Sequence, residues 1–204
     1  FDSNMNDVQF RFKRTLDIFF SIFLLIITLP LILISSLLIY IEDKGPIIYS
    51  QKRTGFKGEV FLIYKLRTMK VNAEKDGAQW SSRNDPRVTN IGKLLRKTRL
   101  DELPQLICVV LGQMSLIGPR PERPELEEQL KKEIKLYDLR FKVLPGLSGW
   151  AQVNYPYGSS IDDTKQKLSY DLFYIKNYSL MLDFLIFLKT IKLVMWAKGS
   201  TPKK

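Results

Sequence analysis

Histidine is absent from this chain of 204 residues, and cysteine occurs once, at Cys108. The first absence excludes Ser-His-Asp and Cys-His nucleophilic mechanisms and every zinc site with a histidine ligand. The second excludes an intrachain disulfide and a thiolate zinc site, and it leaves the redox compartment undetermined. Cys108 lies in the apolar run Leu106, Ile107, Val109, Val110 and reads as a buried packing residue. A catalytic metal must then be a hard cation held by carboxylates, with Mg²⁺ the candidate. Negative charge is also scarce. There are 32 Lys+Arg against 21 Asp+Glu, a formal net charge of +11. That excess points to an anionic partner: nucleic acid, anionic lipid or a phosphorylated substrate. The basic residues are spread out and no nucleic-acid motif accompanies them, so no nucleic-acid partner is expected.

What the chain does have is one long apolar run. Ile18 to Ile41 contains no charged residue, and as a straight helix it would reach about 36 Å, enough to cross a bilayer. No small-residue cleavage site follows, so it is not patterned as a signal peptide. Met5 fits a native start, which would leave Phe1 to Asn4 as an appended remnant. Pro30 breaks the run near its middle, removing one helical hydrogen bond and bending the axis. Thr28, Ser35 and Ser36 are candidates to satisfy the freed backbone. Arg11, Lys13 and Arg14 precede the run, and Lys44, Lys52, Arg53 and Lys57 follow it, so the positive-inside tendency places both flanks in the cytoplasm. A re-entrant hairpin meets that demand best. A kinked span and a buried core helix are the alternatives. Asp17 is placed to pair with Arg14.

Beyond this run, Ile47 to Gln51 and Val60 to Leu66 flank the turn-forming stretch Arg53 to Gly58, predicting a β-hairpin. Lys65 and Arg67 would share one face of its second strand, either solvated or against phosphate. Val71 to Val88 reads as a polar loop. Ile91, Leu94 and Leu95 fit one helix face. Leu103, Leu106, Ile107, Val110 and Leu111 fit a second, ending at Gly112. Glu122 to Tyr137 reads as a solvated outer helix with Glu127/Lys131 and Glu128/Lys132 pairs. Trp150, in the turn-rich stretch Pro145 to Asn154, suits base stacking, the lipid interface or core packing alike. Leu168 to Asn177 reads as a short helix. Leu180 to Trp196 reads as a helix lying in the membrane surface or, alternatively, a core helix.

The chemistry concentrates in two places. Asp101 and Glu102 follow the cationic stretch Arg96-Lys97-Thr98-Arg99, and Gly118-Pro119-Arg120-Pro121 comes soon after. Carboxylates beside dense positive charge suit phosphoryl transfer, which needs a nucleophile or metal ligand and cations for the phosphate oxygens. Pro104 suits the first turn of a helix, which would put Asp101 or Glu102 at its N-cap. A plain capping role and a phosphate-facing role share that geometry. The two prolines around Arg120 would hold a guanidinium ready for bidentate phosphate binding, or simply shape a surface loop.

Four stretches in this order are similar to one family. They are Tyr64-Lys65-Leu66-Arg67-Thr68-Met69, Leu100-Asp101-Glu102-Leu103-Pro104-Gln105-Leu106, Met114-Ser115-Leu116-Ile117-Gly118-Pro119-Arg120-Pro121 and Pro145-Gly146-Leu147-Ser148-Gly149-Trp150-Ala151-Gln152-Val153-Asn154. With the Pro30-broken apolar run, the chain resembles the small monotopic catalytic unit of the bacterial polyprenyl-phosphate phosphoglycosyl transferases, from about Phe12 to Ile191. Family members usually carry Ser-Pro at the break; here it is Leu29-Pro30.

The resemblance implies transfer of a phospho-sugar from a UDP-sugar to undecaprenyl phosphate, releasing UMP at the cytoplasmic face of the bacterial inner membrane. It implies Asp101 as covalent nucleophile and Mg²⁺ ligand, and Glu102 as an assistant in metal or proton handling. Arg96, Arg120 and Lys65 would be phosphate-binding residues, and Pro30 the membrane break. The implied fold is an α-rich α+β unit: a helix-break-helix membrane hairpin, a short β-hairpin and a compact helical catalytic domain with interfacial amphipathic helices. Residues 1–43 would form the basic flank and membrane helix, 44–199 the catalytic domain and 200–204 a tail. Membrane lipid is an expected partner, and a homo-oligomer is compatible with the chain. The rival readings are a membrane glycosyltransferase releasing UDP and a non-enzymatic basic membrane module.

Overall fold

Asn6 opens the first helix of the computed structural model, which describes residues 6–73, 85–155 and 160–196. Its side chain accepts from the Gln9 backbone N–H (2.8 Å), while the Gln9 side chain accepts from the Asn6 N–H (3.2 Å), a reciprocal cap. From there α1 runs Asp7–Glu42 with Pro30 inside it. It is the one helix, among the described residues, long and apolar enough to cross a membrane. Phe19, Phe20, Phe23, Ile26, Ile27, Leu33, Ile34 and Leu37 are all exposed on it. A helix that leaves so much apolar surface uncovered needs a partner other than water. Thr28 and Ser36 donate to the carbonyls of Leu24 and Ile32 (both 2.7 Å). They therefore serve the carbonyl four residues back, not the Ile26 carbonyl that Pro30 deprives of its partner.

The buried positions of α1 are Lys13, Asp17, Ser21, Ser35 and Ile39. Steps of four put each group on one helix face. Asp17 does not rely on Arg14. It accepts from the Ser115 hydroxyl (2.7 Å) and the Leu116 N–H (3.3 Å), while Lys13 reaches Asp183 at 2.7 Å. On the other side of Pro30, Ile39 packs with Leu66 and Leu95. The helix therefore meets the rest of the chain on both sides of its proline.

The predicted hairpin is present. Strands β1 (Ile48–Thr54) and β2 (Val60–Leu66) pair antiparallel, with Ile48 opposite Leu66 and Thr54 opposite Val60. The face shared by Lys65 and Arg67 is not solvated. Lys65 bonds Glu102 at 2.8 Å, and Arg67 donates to the Asp43 carbonyl at the end of α1. Of the expected loop 71–88, residues 74–84 lie outside the described residues, as do 1–5, 156–159 and 197–204 with the proposed remnant and tail. The loop's described end is tied down by a Met69–Val88 bridge and by Asp85, buried against Arg87.

Helices α2 (Asn90–Thr98) and α3 (Leu106–Val110) follow, joined by a 3-10 turn over Leu100–Gln105. A second, parallel pair is formed by β3 (Ser115–Ile117) and β4 (Gly146–Ser148). Between them lies α4 (Pro124–Glu133), whose outer face is solvated as expected, with Glu125, Glu128, Lys131 and Lys132 exposed, but Glu127 is only 3% exposed, with its carboxylate against Thr54. Its packing against the β1 end and against Arg140 removes Glu127 from solvent, and Lys131 pairs with Asp138 instead. Helices α5 (Trp150–Asn154), α6 (Ile161–Lys176) and α7 (Leu180–Met195) complete the fold. The α6 helix starts earlier than its apolar pattern suggested, because Ser160 and Asp163 form a capping box ahead of it. Ile117, Val143, Tyr174, Ile175 and Ile186 form the principal core cluster. Trp150 belongs to this packing, stacked on Phe173 at 5.8 Å.

Candidate active site

Asp101 and Glu102 sit in the first turn of the 3-10 stretch, and neither side chain caps a helix. Two residues before Asp101, Arg99 adopts a left-handed conformation (φ 62°, ψ 13°) that ends α2 and begins the 3-10 turn. This break explains why the capping expectation fails: Pro104 lies deep in the 3-10 stretch, where Leu103 and Pro104 lead into α3. Left-handed backbone costs a residue with a Cβ about 1–2 kcal/mol, and here it aims two adjacent carboxylates into different surroundings.

Glu102 lies in a cationic clasp. Lys65 donates to its Oε1 at 2.8 Å, and Arg120 donates to both of its oxygens. Burial opposes ionisation, yet Arg120 and Lys65 together outweigh it and hold Glu102 well below the usual carboxylate range. Such a carboxylate accepts hydrogen bonds and does not shuttle protons. Asp101 is the opposite case. It is buried, and its Oδ1 has no hydrogen-bond partner. Burial first, and the charge of Glu102 second, push its pKa up to about 6, against the pull of Lys65, Arg96 and Arg99. One carboxylate is thus saturated with cations, and its neighbour, which still ionises at neutral pH, keeps a buried oxygen without a hydrogen-bond partner.

Three of the expected phosphate ligands converge here. Lys65 and Arg120 meet on Glu102, and Arg96 faces Asp101 electrostatically while its Nε donates to Thr68 Oγ1 at 2.9 Å. That contact depends on close approach of α2 to the end of β2. A Cβ at Gly92 would stand 2.1 Å from the Thr68 carbonyl oxygen. Gly92→Ala is therefore expected to push α2 outward, lower stability by about 1–3 kcal/mol and cut activity, as read from a thermal melt and an activity assay on one sample.

Sequence reasoning missed Arg99, Arg53 and Arg140. Arg99 lay in the basic run, but nothing in its spacing marks the left-handed turn. Arg53 donates to the Pro121 carbonyl at 3.0 Å and so steadies the turn around Arg120. Arg140 is fully committed: Nε to Asp171 (2.9 Å), Nη1 to the Tyr137 hydroxyl (2.7 Å), Nη2 to the Arg120 carbonyl (2.6 Å). The turn is pinned from below as well. Gly118 donates to the Ser148 carbonyl and Gly146 to the Pro119 carbonyl, both at 2.8 Å. A Cβ at Gly118 would meet the Leu144 carbonyl at 2.4 Å, so glycine permits that contact.

The ordered motifs, the apolar helix and this acid-and-cation site point together to one family, and a sequence profile of the bacterial sugar transferases matches residues 8–197. The chain belongs to the bacterial sugar transferase family. Among its relatives, the UDP-N-acetylgalactosamine-undecaprenyl-phosphate N-acetylgalactosaminephosphotransferase of Aeromonas hydrophila is 45% identical over 92% of this chain and 44% of its own length. A UDP-glucose:undecaprenyl-phosphate glucose-1-phosphate transferase of Klebsiella pneumoniae is 40% identical over 94% of this chain and 42% of its own. The protein so named in Caulobacter vibrioides is 38% identical over 88% of this chain and 68% of its own. The chain thus spans less than half the length of the first two relatives.

The arrangement also bears on a metal. Among the described residues, no group of three or more Asp, Glu, His or Cys could hold an ion. The partnerless Oδ1 of Asp101 fits one coordination position of Mg²⁺, an ion that commonly takes one or two carboxylates and completes its shell with substrate phosphates and water. Glu102, closed by Lys65 and Arg120, offers none.

Proposed function

We propose that this bacterial sugar transferase moves a phospho-sugar from a UDP-sugar to undecaprenyl phosphate, at the cytoplasmic face of the inner membrane. The observation that carries the reading is the pairing of a buried Asp101, whose Oδ1 has no hydrogen-bond partner, with a cation-locked Glu102. The relatives' names supply the substrate classes.

Asp101 Oδ1 attacks the sugar-bearing phosphorus. A P–O bond forms to the carboxylate, the P–O bond to UMP breaks, and its electron pair leaves on UMP. A phosphate oxygen of the lipid then attacks the same phosphorus and returns the electron pair to Asp101. Neither step needs a general base, since a phosphate monoester with its second pKa ~6 is largely ionised at neutral pH. A chain without histidine can therefore run it. In this reading Arg120 and Lys65 take phosphate oxygens, and their contacts with Glu102 hold both cations in register. Bound at Asp101, Mg²⁺ would supply further neutralisation of the diphosphate charge.

Topology follows the same reading. We take α1 as a re-entrant membrane helix bent at Pro30, with α7 lying in the interface. Met181, Phe184, Phe187 and Leu188 on α7 and Trp196 at its C-terminal end are exposed apolar residues, as are Ile107 and Leu111 beside α1. Arg14 reaches Val109 while Ile39, beyond Pro30, packs on Leu95. A straight helix would separate Arg14 from Ile39 by about 38 Å, a long reach for contacts within one short stretch of chain. Cysteine labelling near Arg11 from the periplasmic side would contradict this topology.

The enzyme is tested by incubation with Mg²⁺, undecaprenyl phosphate and a panel of UDP-sugars. UMP is the expected product, and UDP would indicate a glycosyltransferase instead. The second-order rate constant for the single equivalent of UMP formed without lipid phosphate should fall about tenfold per pH unit below a limb near pH 6, set by Asp101. A limb near 4, the ordinary carboxylate range, would contradict the burial argument.

A further inference from the structure

The two ends of α1 close on the two ends of one stretch of chain. That stretch runs from Asn90 to Val110: α2, the 3-10 turn carrying Asp101 and Glu102, then α3. At its start, the two carboxylate oxygens of Glu42 accept from the backbone N–H groups of Asn90 (2.8 Å) and Ile91 (2.9 Å). At its end, Arg14 donates to the carbonyls of Val109, Val110 (3.1 Å) and, just beyond, Met114 (3.1 Å). Each charge matches the helix end it meets, with a carboxylate on the N–H groups that open α2 and a guanidinium on the carbonyls that close α3.

We propose that Arg14 and Glu42 are positioning residues, and that α1 acts as a clamp on both termini of the segment bearing Asp101, so that seating α1 in lipid sets where the reactive carboxylate stands. The inference rests on the reading of Asp101 as nucleophile. Three things separate it from ordinary anchoring. Both contacts fall on one segment. They fall at its opposite ends, outside the site. The other polar anchors of α1 go elsewhere: Lys13 to Asp183 on α7 and Asp17 to Ser115 on β3. Those anchors supply a control that loosens α1 without touching the segment. The left-handed Arg99 turns the chain two residues before Asp101, so the carboxylate stands where the two clamped halves of the segment meet.

The test uses the full chain in lipid nanodiscs, with Arg14→Gln, Glu42→Ala, the conservative Arg14→Lys and Glu42→Gln, and Lys13→Gln as control. Two readouts are taken: UMP release at saturating UDP-sugar, and amide hydrogen exchange. Arg14→Gln and Glu42→Ala should each lower kcat about 10- to 100-fold with KM nearly unchanged, the scale expected from misplacing a reacting group by ~1 Å. The conservative variants should recover part of the loss. Both damaging variants should raise exchange across Leu100–Gln105, whichever end was cut. Lys13→Gln should lower the melting temperature without a matching loss of kcat. The proposal is overturned if kcat stays near the parent value, if exchange rises only beside the cut, or if kcat merely tracks melting temperature as in the control. Failure of the nucleophile reading looks different: Asp101→Asn keeps its turnover, or the parent releases no UMP. Exchange alone then decides the clamp.

Discussion

Asp101→Asn should melt at a higher temperature than the parent while losing turnover by a factor on the order of 10⁴ or more. Both effects have one cause. The folded chain raises the Asp101 pKa to about 6, through burial and then through Glu102, from an ordinary value of ~3.9. The folded state thus binds this proton more tightly than the unfolded one. Its stability falls as pH rises between the two values, and the loss is complete above about 6. A shift of roughly 2 pKa units corresponds to about 3 kcal/mol. Asparagine keeps the shape without the charge and should recover about 1–3 kcal/mol, or ~3–8 °C in melting temperature. The gap between variant and parent should close as pH falls from 7 toward 4. A variant that melts lower at neutral pH, or a gap that ignores pH, would show that the site is not strained by this charge.

Glu102→Ala should do the reverse and destabilise the fold strongly. Glu102 is the shared acceptor of Lys65 and Arg120, with side-chain exposures of 12% and 17% for the Glu102–Lys65 pair. Removing it leaves a buried ammonium without its hydrogen-bonded counter-charge, a change that typically costs about 3–5 kcal/mol. Melting temperature should drop by roughly 10 °C, and activity should be lost because Lys65 and Arg120 are no longer held together. A second change isolates the cause. Lys65→Met combined with Glu102→Ala should be more stable than Glu102→Ala alone, since the stranded charge is gone. If the double variant is the weaker, Lys65 packs for reasons other than Glu102. Adjacent carboxylates that answer neutralisation with opposite signs are the marker of a site that divides reactivity from positioning.

The motif residues were legible because their chemistry is local in sequence. Asp101 and Glu102 stand side by side, Arg120 sits between two prolines, and the hairpin that brings Lys65 is a two-strand unit with its turn. The apolar length of α1 was equally readable. What escaped depends on long-range placement. Nothing in the spacing distinguishes Arg99 from Arg96, yet a left-handed backbone separates their roles. Arg140 supports Arg120 from twenty residues away through a single carbonyl contact. Glu127 reads as one half of a surface helix pair and is instead buried, because the partner that covers it lies on another element. Asp17 sits one turn from Arg14 but finds Ser115 across the fold. In each case periodicity identifies the element and fails to show what packs on it.

The most direct measurement is mass spectrometry of the protein mixed with UDP-sugar and Mg²⁺ in the absence of lipid phosphate. The account predicts a sugar-phosphate adduct on the peptide containing Asp101, formed with one equivalent of UMP, discharged by undecaprenyl phosphate and missing from Asp101→Asn. An adduct on any other residue, or turnover in a protein that never acquires one, would contradict it.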